Sequence, residues 1–132
     1  MSENSDSKKK ISSVHDLQVW QIGMEIVLES YKLSRKLPKE EMFGLTSQIR
    51  RAAVAIPANI SEGFGRFSRP EFLQFLKVAR GSIHELRTHF EITVHLEYFD
   101  NKDTINIFSK INEGDALITA LMKSLSKPKK RD

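Results

Sequence analysis

Apolar residues recur along this chain at spacings of three and four, the period of an α-helix, in four successive segments. In the first, Val14 to Leu37, one stripe comprises Leu17, Trp20, Met24, Val27 and Tyr31. A second, nearly opposite, comprises Val19, Ile22, Ile26 and Leu33. Ser13 with Asp16 three residues on approximates a capping box, and Pro38 ends the segment. A surface helix needs one apolar face; two predict either a central place in a bundle or a second surface against another subunit, with the subunit interface preferred. The second helix is predicted to begin between Glu40 and Thr46. It carries Leu45, Ile49, Ala52, Ala53, Ile56 and Ile60 on one face, and Gly63 and Gly65 are expected to stop it. Ala52, Ala53, Ala55 and Ala58 keep it thin, so neighbouring helices can approach closely.

Pro57 interrupts that helix. An interior proline forgoes one backbone hydrogen bond and kinks the helix, at about 3 kcal/mol, so tertiary packing must hold this element in place. The third helix has the best start signal: Ser68 and Glu71 as a capping box, with Pro70 in the first turn. Its stripe of Phe72, Leu76, Ala79, Ile83, Leu86, Phe90 and Thr93/Val94 alternates steps of four and three, the spacing of bundle packing. It is expected to end between Tyr98 and Asp100. The fourth helix, Lys102 to Ser126, turns Ile107, Ile111, Ile118, Leu121 and Leu125 inward. Asp115 falls beside that stripe, as a boundary residue or a buried partner for an arginine. No strand pattern competes. The expected fold is all-α, an antiparallel up-and-down four-helix bundle over residues 14–126.

The length of 132 residues fits one domain. With no cysteine, disulfides and cysteine-based zinc sites are excluded. No apolar run is long enough for a signal peptide or a membrane span, so a cytoplasmic protein without membrane contact is expected. The net charge of +4 is unevenly placed. Residues 123–132 hold five basic residues and one acid, whereas residues 16–122 hold 13 basic and 14 acidic residues. The polar tail 1–13 and the basic tail 127–132 read as solvated, disordered ends, with nonspecific attraction to phosphate as the sharper alternative.

Catalytic motifs are missing from the sequence: there is no nucleophile elbow, phosphate loop or zincin motif. Of the histidines His15, His84, His89 and His95, His89 has a carboxylate, Glu85, at helix-face spacing, neither His84 and His89 nor His89 and His95 are so spaced, and the carboxylate pattern of a di-metal bundle is missing. The expectation is no metal, no cofactor and no enzyme. Asn59, Ser61 and Glu62 read as support for the end of the second helix.

Residues 50–87 carry seven Lys/Arg against three acids. On the third helix Lys77, Arg80, His84 and Arg87 recur at steps of three and four, roughly 60–140° from the apolar stripe at about 100° per residue. The ordinary reading is a solvated face with Arg87–Glu91 pairing. The functional reading is a phosphate-binding surface on the second and third helices, using Arg50, Arg51, Arg66, Arg69, Lys77, Arg80 and Arg87, because the arginine fork matches phosphate bidentately. Phe64 and Phe67, in the EGFGRFSR loop, are the available stacking partners for unpaired bases or, preferably, loop anchors.

LTSQIRRAAVAIPANISEGFGR, followed by FLQFLKVARGSIHEL and preceded by DLQVWQIGMEIVLESYKLSRKLP, resembles the ribosomal-RNA intervening-sequence proteins over about residues 16–126. The IPANI…EG and ARGS…EL elements carry the specificity. Genes of that family often lie inside intervening sequences of bacterial large-subunit ribosomal RNA genes. A related branch, the accessory variability determinant of diversity-generating retroelements, is a pentameric barrel that binds nucleic acid and a reverse transcriptase. The resemblance implies a homopentamer of four-helix subunits with a basic surface and no enzymatic activity. Two functional expectations follow: a noncatalytic oligomer that binds RNA or DNA backbone, or a scaffold that docks a protein such as a reverse transcriptase.

Overall fold

The computed structural model describes residues 11–128. Among them lie four α-helices and no strand: α1 (Gln18–Ser34), α2 (Leu45–Phe64), α3 (Arg69–His95) and α4 (Asn101–Ser126). Single 3₁₀ turns, Val14–Asp16 and Lys39–Glu41, precede α1 and α2. Sequential helices pack against one another and α1 closes against α4, while the diagonal pairs α1/α3 and α2/α4 make no close approach. This is the four-helix bundle the periodicity predicts. Most of the two predicted tails, residues 1–10 and 129–132, falls outside the described residues.

The helix ends follow local chemistry. Ser13 and Asp16 form the predicted capping box, but it closes a 3₁₀ turn, and extended Leu17 separates that turn from α1. Glu41 Oε1 accepts the Leu45 N–H at 3.0 Å, standing in for the side chain that Gly44 lacks at the α2 N-cap. Its other oxygen accepts from Tyr98 Oη at 2.8 Å, tying the α1–α2 and α3–α4 connections together. These two donors, the Leu45 amide first, hold the Glu41 carboxyl below its ordinary value. Ser68 Oγ accepts the Glu71 N–H and starts α3, with proline in the first turn. Asp100 and Asp103 form a full capping box at the start of α4.

Helix α3 stops at His95, earlier than expected. Glu97 adopts φ 64°, and the Glu97 and Tyr98 amides donate back to the Val94 and Thr93 carbonyls. This is a Schellman stop, normally built with glycine; glutamate in that position left no signal in the sequence.

The core contains Val19, Ile22, Ile26, Leu33, Ile49, Ile56, Ile60, Leu76, Ile83, Leu86, Phe90, Ile107, Ile111 and Ile118. The second α1 stripe is therefore the buried one. Leu17, Trp20 and Val27 of the first stripe pack against the core from its margin, and Tyr31 lies under the Arg50 guanidinium, 4.9 Å from its ring centroid. Part of the surface expected to meet another subunit is thus spent within the chain. Pro57 is buried, and Gly23 of α1 sits against it, where a Cβ would lie at 3.4 Å. The proline-containing helix is held by the neighbour it touches.

Of the two glycines expected to stop α2, Gly65 stands at its end and Gly63 does not. Gly63 is buried inside α2, where a Cβ would lie 2.6 Å from Phe75 Cβ and 3.3 Å from the Phe72 carbonyl. Its role is close approach of α2 to α3, not termination. Gly65 caps α2 in a right-handed conformation (φ −72°). The left-handed residue in this connection is Phe67, at φ 59°. For an L-residue with a bulky side chain that conformation costs about 1–2 kcal/mol.

Gly63→Ala is expected to destabilise the bundle by about 1–3 kcal/mol, because backbone as well as side-chain atoms must move. Gly81, where an added Cβ meets nothing within 4 Å, supplies the contrast. Gly81→Ala is expected to stabilise by about 0.8–1 kcal/mol through helix propensity. Urea denaturation of both variants checks the pair; equal shifts would remove the close-packing role assigned to Gly63.

Candidate nucleic-acid interface

The seven basic residues singled out by the sequence do not form one surface. Arg50 turns toward α1, where its Nε donates to Ser34 Oγ at 2.9 Å while the guanidinium covers Tyr31. It fastens α2 to α1. Arg51 crosses the α2–α3 groove to an ion pair with Glu85 and also donates to Gln48 Oε1 at 2.7 Å. His89 Nε2 lies 3.3 Å from the same Glu85 oxygen. Burial pushes the Glu85 carboxyl upward, but its bonds with Arg51 and His89 outweigh this and bring it below its ordinary value. The Glu85–His89 pair thus takes a guanidinium as its third member. Among the described residues no group of three or more ligating side chains could hold a metal ion. Arg66 folds back on its own helix, pairing with Glu62 at 2.9 Å and lying 5.1 Å from the Phe75 ring centroid. Glu62 therefore serves the helix end, as expected.

The other four, Arg69, Lys77, Arg80 and Arg87, lie on α3; Arg80 and Arg87 reach across to α4 and Arg69 to the residue after it. Arg80 Nε donates to Asp115 Oδ1 at 2.9 Å. His84 Nε2 lies 3.3 Å and Arg87 Nη2 3.9 Å from Asp115 Oδ2. Arg87 also donates to Asn112 Oδ1 at 2.8 Å. The Arg87–Glu91 pair therefore gives way to contacts across the helix interface. Asp115, its side chain 20% exposed, is the arginine partner that its place beside the apolar stripe allowed. Burial raises its affinity for a proton, but the Arg80 hydrogen bond and the charges of His84, Arg80 and Arg87 win, and its carboxyl lies below its ordinary value.

Toward the C-terminal end of α4 the α3–α4 interface opens into a cleft of about 450 Å³, lined by Arg80, Thr119, Met122, Lys123, Ser126, Lys127 and Pro128. Among the described residues no acidic side chain lines it. Arg69 Nη1 reaches the Lys127 carbonyl at 3.5 Å, closing the end of the bundle. Lys77, one turn before Arg80, is exposed and has no polar partner among the described residues, and neither ammonium of Lys123 and Lys127 has one. The sequence pattern puts Lys127 in a solvated tail and gives Lys123 no separate role. The signal was present: Asp115, Thr119, Met122 and Ser126 repeat at steps of four, three and four along one flank of α4, with Lys123 beside them.

A depressed carboxyl stabilises the folded state above its unfolded pKa, and that contribution disappears as pH falls through the folded value. For Asp115 and Glu85 the unfolded values are about 3.9 and 4.3. Stability is therefore expected to hold from neutrality to about pH 5 and to fall progressively below about pH 4. Asp115→Asn should flatten part of that fall in urea titrations against pH. An unchanged slope would remove Asp115 as a contributor.

The architecture recurs in a solved structure. A crystal structure of a protein of unknown function from the S23 ribosomal protein family of Bacteroides thetaiotaomicron superposes with a TM-score of 0.74. The two chains are 24% identical, and the match covers 80% of this chain and 98% of that one. None of the curated proteins matches the chain. No helix among the described residues is long and apolar enough to cross a membrane. Residues 15–120 match the family described as 23S rRNA-intervening sequence protein, a span that takes in α1, α2, α3 and most of α4, and the chain belongs to that family.

Proposed function

We propose that this protein is a noncatalytic binder of nucleic-acid backbone and that the α3–α4 cleft is its binding surface. The observation that carries the reading is the cleft itself. Arg80, Lys123 and Lys127 line it, Arg69 reaches the Lys127 carbonyl at its rim, and Lys77 lies one turn before Arg80 on α3; among the described residues no carboxylate lines it and the lysine ammonium groups have no polar partner. Arg80 is paired with Asp115, but the lysines have no counter-charge among the described residues; such cations hold condensed anions, and a polyanion that displaces them gains the entropy of their release. Arg50 and Arg51 have structural partners and are assigned to packing, and Arg66 sits at the margin. The family to which the chain belongs takes its description from ribosomal RNA.

Contacts of this kind position a backbone and carry no sequence information. Little discrimination between RNA sequences is expected. A homopentameric ring in the cytoplasm, implied by the related branch, is part of the proposal. Exposed Leu28 and Ile105 supply apolar side chains for such contacts. Light scattering at micromolar concentration checks it, and a monomer would refute the ring while leaving the cleft in place.

The location is tested by fluorescence anisotropy with labelled RNA and DNA at low salt. Lys77→Ala/Lys123→Ala is expected to weaken binding by on the order of ten- to a hundredfold. Arg51→Ala, on α2 beside the far edge of α3, should leave affinity within about twofold, since it removes no cation from the cleft. The reverse order would move the surface to the α2–α3 groove. Retained binding of a reverse transcriptase without any nucleic-acid affinity would favour a scaffold instead.

A further inference from the structure

The α2–α3 connection contains an aromatic side chain that the fold does not use. Phe64 packs edge-on against Phe72, with ring centroids 6.0 Å apart, and is the loop anchor. Phe67, three residues later, is 95% exposed. Its backbone is held in the left-handed region between Arg66 and the Ser68 cap of α3. A bulky residue in that conformation, with its side chain in water, is unfavourable twice over. Stability gives no reason for phenylalanine at this position.

Its surroundings indicate what would cover it. Arg66 is drawn back to Glu62 and Phe75 and so leads away from the loop tip. On the other side Arg69 reaches the Lys127 carbonyl at the mouth of the basic cleft. Arg69 and Arg80 are about 16 Å apart along α3 at about 1.5 Å per residue. A nucleic-acid backbone lying on Arg69, Lys127, Lys123 and Arg80 therefore runs a few nucleotides from the cleft to the loop. There the next base meets an uncovered aromatic face.

We propose that Phe67 is a stacking platform for an unpaired base, which makes single-stranded nucleic acid the ligand of the α3–α4 cleft. A duplex cannot satisfy this site, because its bases are already stacked on one another and only its backbone is presented. The proposal rests on the backbone-binding function proposed above and adds the ligand's strandedness. Phe43 supplies the internal contrast. It is 96% exposed as well, but it follows Lys39, Glu40 and Glu41 at the opposite end of the bundle, away from the basic cleft.

The test uses the full chain, a labelled oligouridine and an RNA duplex of the same length, at low salt. Wild type is expected to prefer the single strand. Phe67→Ala should lose about five- to a hundredfold in single-strand affinity, the range of one base–aromatic stack, and keep its duplex affinity. Phe43→Ala should lose nothing. Phe67→Trp, in a Trp20→Phe background, should keep single-strand affinity and show emission quenched by the oligonucleotide. If wild type binds and Phe67→Ala binds the single strand equally well, or if the emission of the Phe67→Trp variant is unmoved, the stacking proposal is overturned and backbone binding stands. If wild type binds neither nucleic acid, both readings fall together. If Phe67→Ala lowers the mass of an assembly in light scattering and leaves single-strand affinity intact, Phe67 contacts a second copy of the chain and the proposal is again overturned.

Discussion

Phe90→Ala is expected to lower the unfolding free energy by about 3–5 kcal/mol, the largest effect of any single substitution considered for this bundle. Phe90 is the largest side chain with no exposed surface, and it belongs to the one core cluster. Its removal forfeits the transfer of an aromatic ring from water and leaves a cavity that helix-bound neighbours cannot close without shifting whole helices. The backbone there is also constrained, since Thr93 Oγ1 donates to the Phe90 carbonyl at 2.6 Å. A domain of this size holds about 5–15 kcal/mol in total, so the variant gives up roughly a fifth or more of it. The midpoint of thermal unfolding should fall by on the order of 10–20 °C. Phe90→Leu, which keeps most of the volume, should cost about 1–1.5 kcal/mol. Calorimetry on the three proteins checks the series. A small loss for alanine would mean that the ring is not the centre of the core.

The second large effect is on affinity. Each phosphate neutralised on a single strand contributes a slope of about −0.7 in log affinity against log salt. Five cations in and beside the cleft, Arg69, Lys77, Arg80, Lys123 and Lys127, set a slope of about −3.5 if each neutralises one phosphate. Affinity for single-stranded RNA should then fall by about a hundredfold between about 50 and 200 mM salt. Asp115 works against this surface while stabilising the fold, because its carboxylate engages Arg80 and Arg87 from the α4 side. The same carboxylate therefore holds Arg80 at the cleft and subtracts from its field.

Much of the fold was legible in the sequence because the bundle is built from features that sequence carries directly. The 3-4 apolar rhythm of α3 and α4 is the core that the structure contains, and Ser13, Ser68 and Pro38 sit at or beside helix ends. What escaped depends on tertiary contact. Gly63 looks like a terminator until the Phe75 side chain is placed against it. Glu97 has no sequence signature for the left-handed stop it makes. The functional surface was half visible. The cationic edge of α3 follows from its spacing, but which wall it faces depends on how α4 packs. For that reason Lys123 and Lys127 enter the surface only in three dimensions, while Arg50 and Arg51 find partners on other helices.

The most direct test of the α3–α4 cleft is the salt dependence of oligouridine affinity, compared between wild type and Lys77→Ala/Lys123→Ala. Both lysines lack polar partners among the described residues, so the variant should keep its fold. The slope is expected to change from about −3.5 to about −2, two fewer released counterions' worth, with weaker binding at every salt concentration. Equal slopes and equal affinities for the two proteins, or no measurable affinity of wild type at low salt, would contradict the assignment.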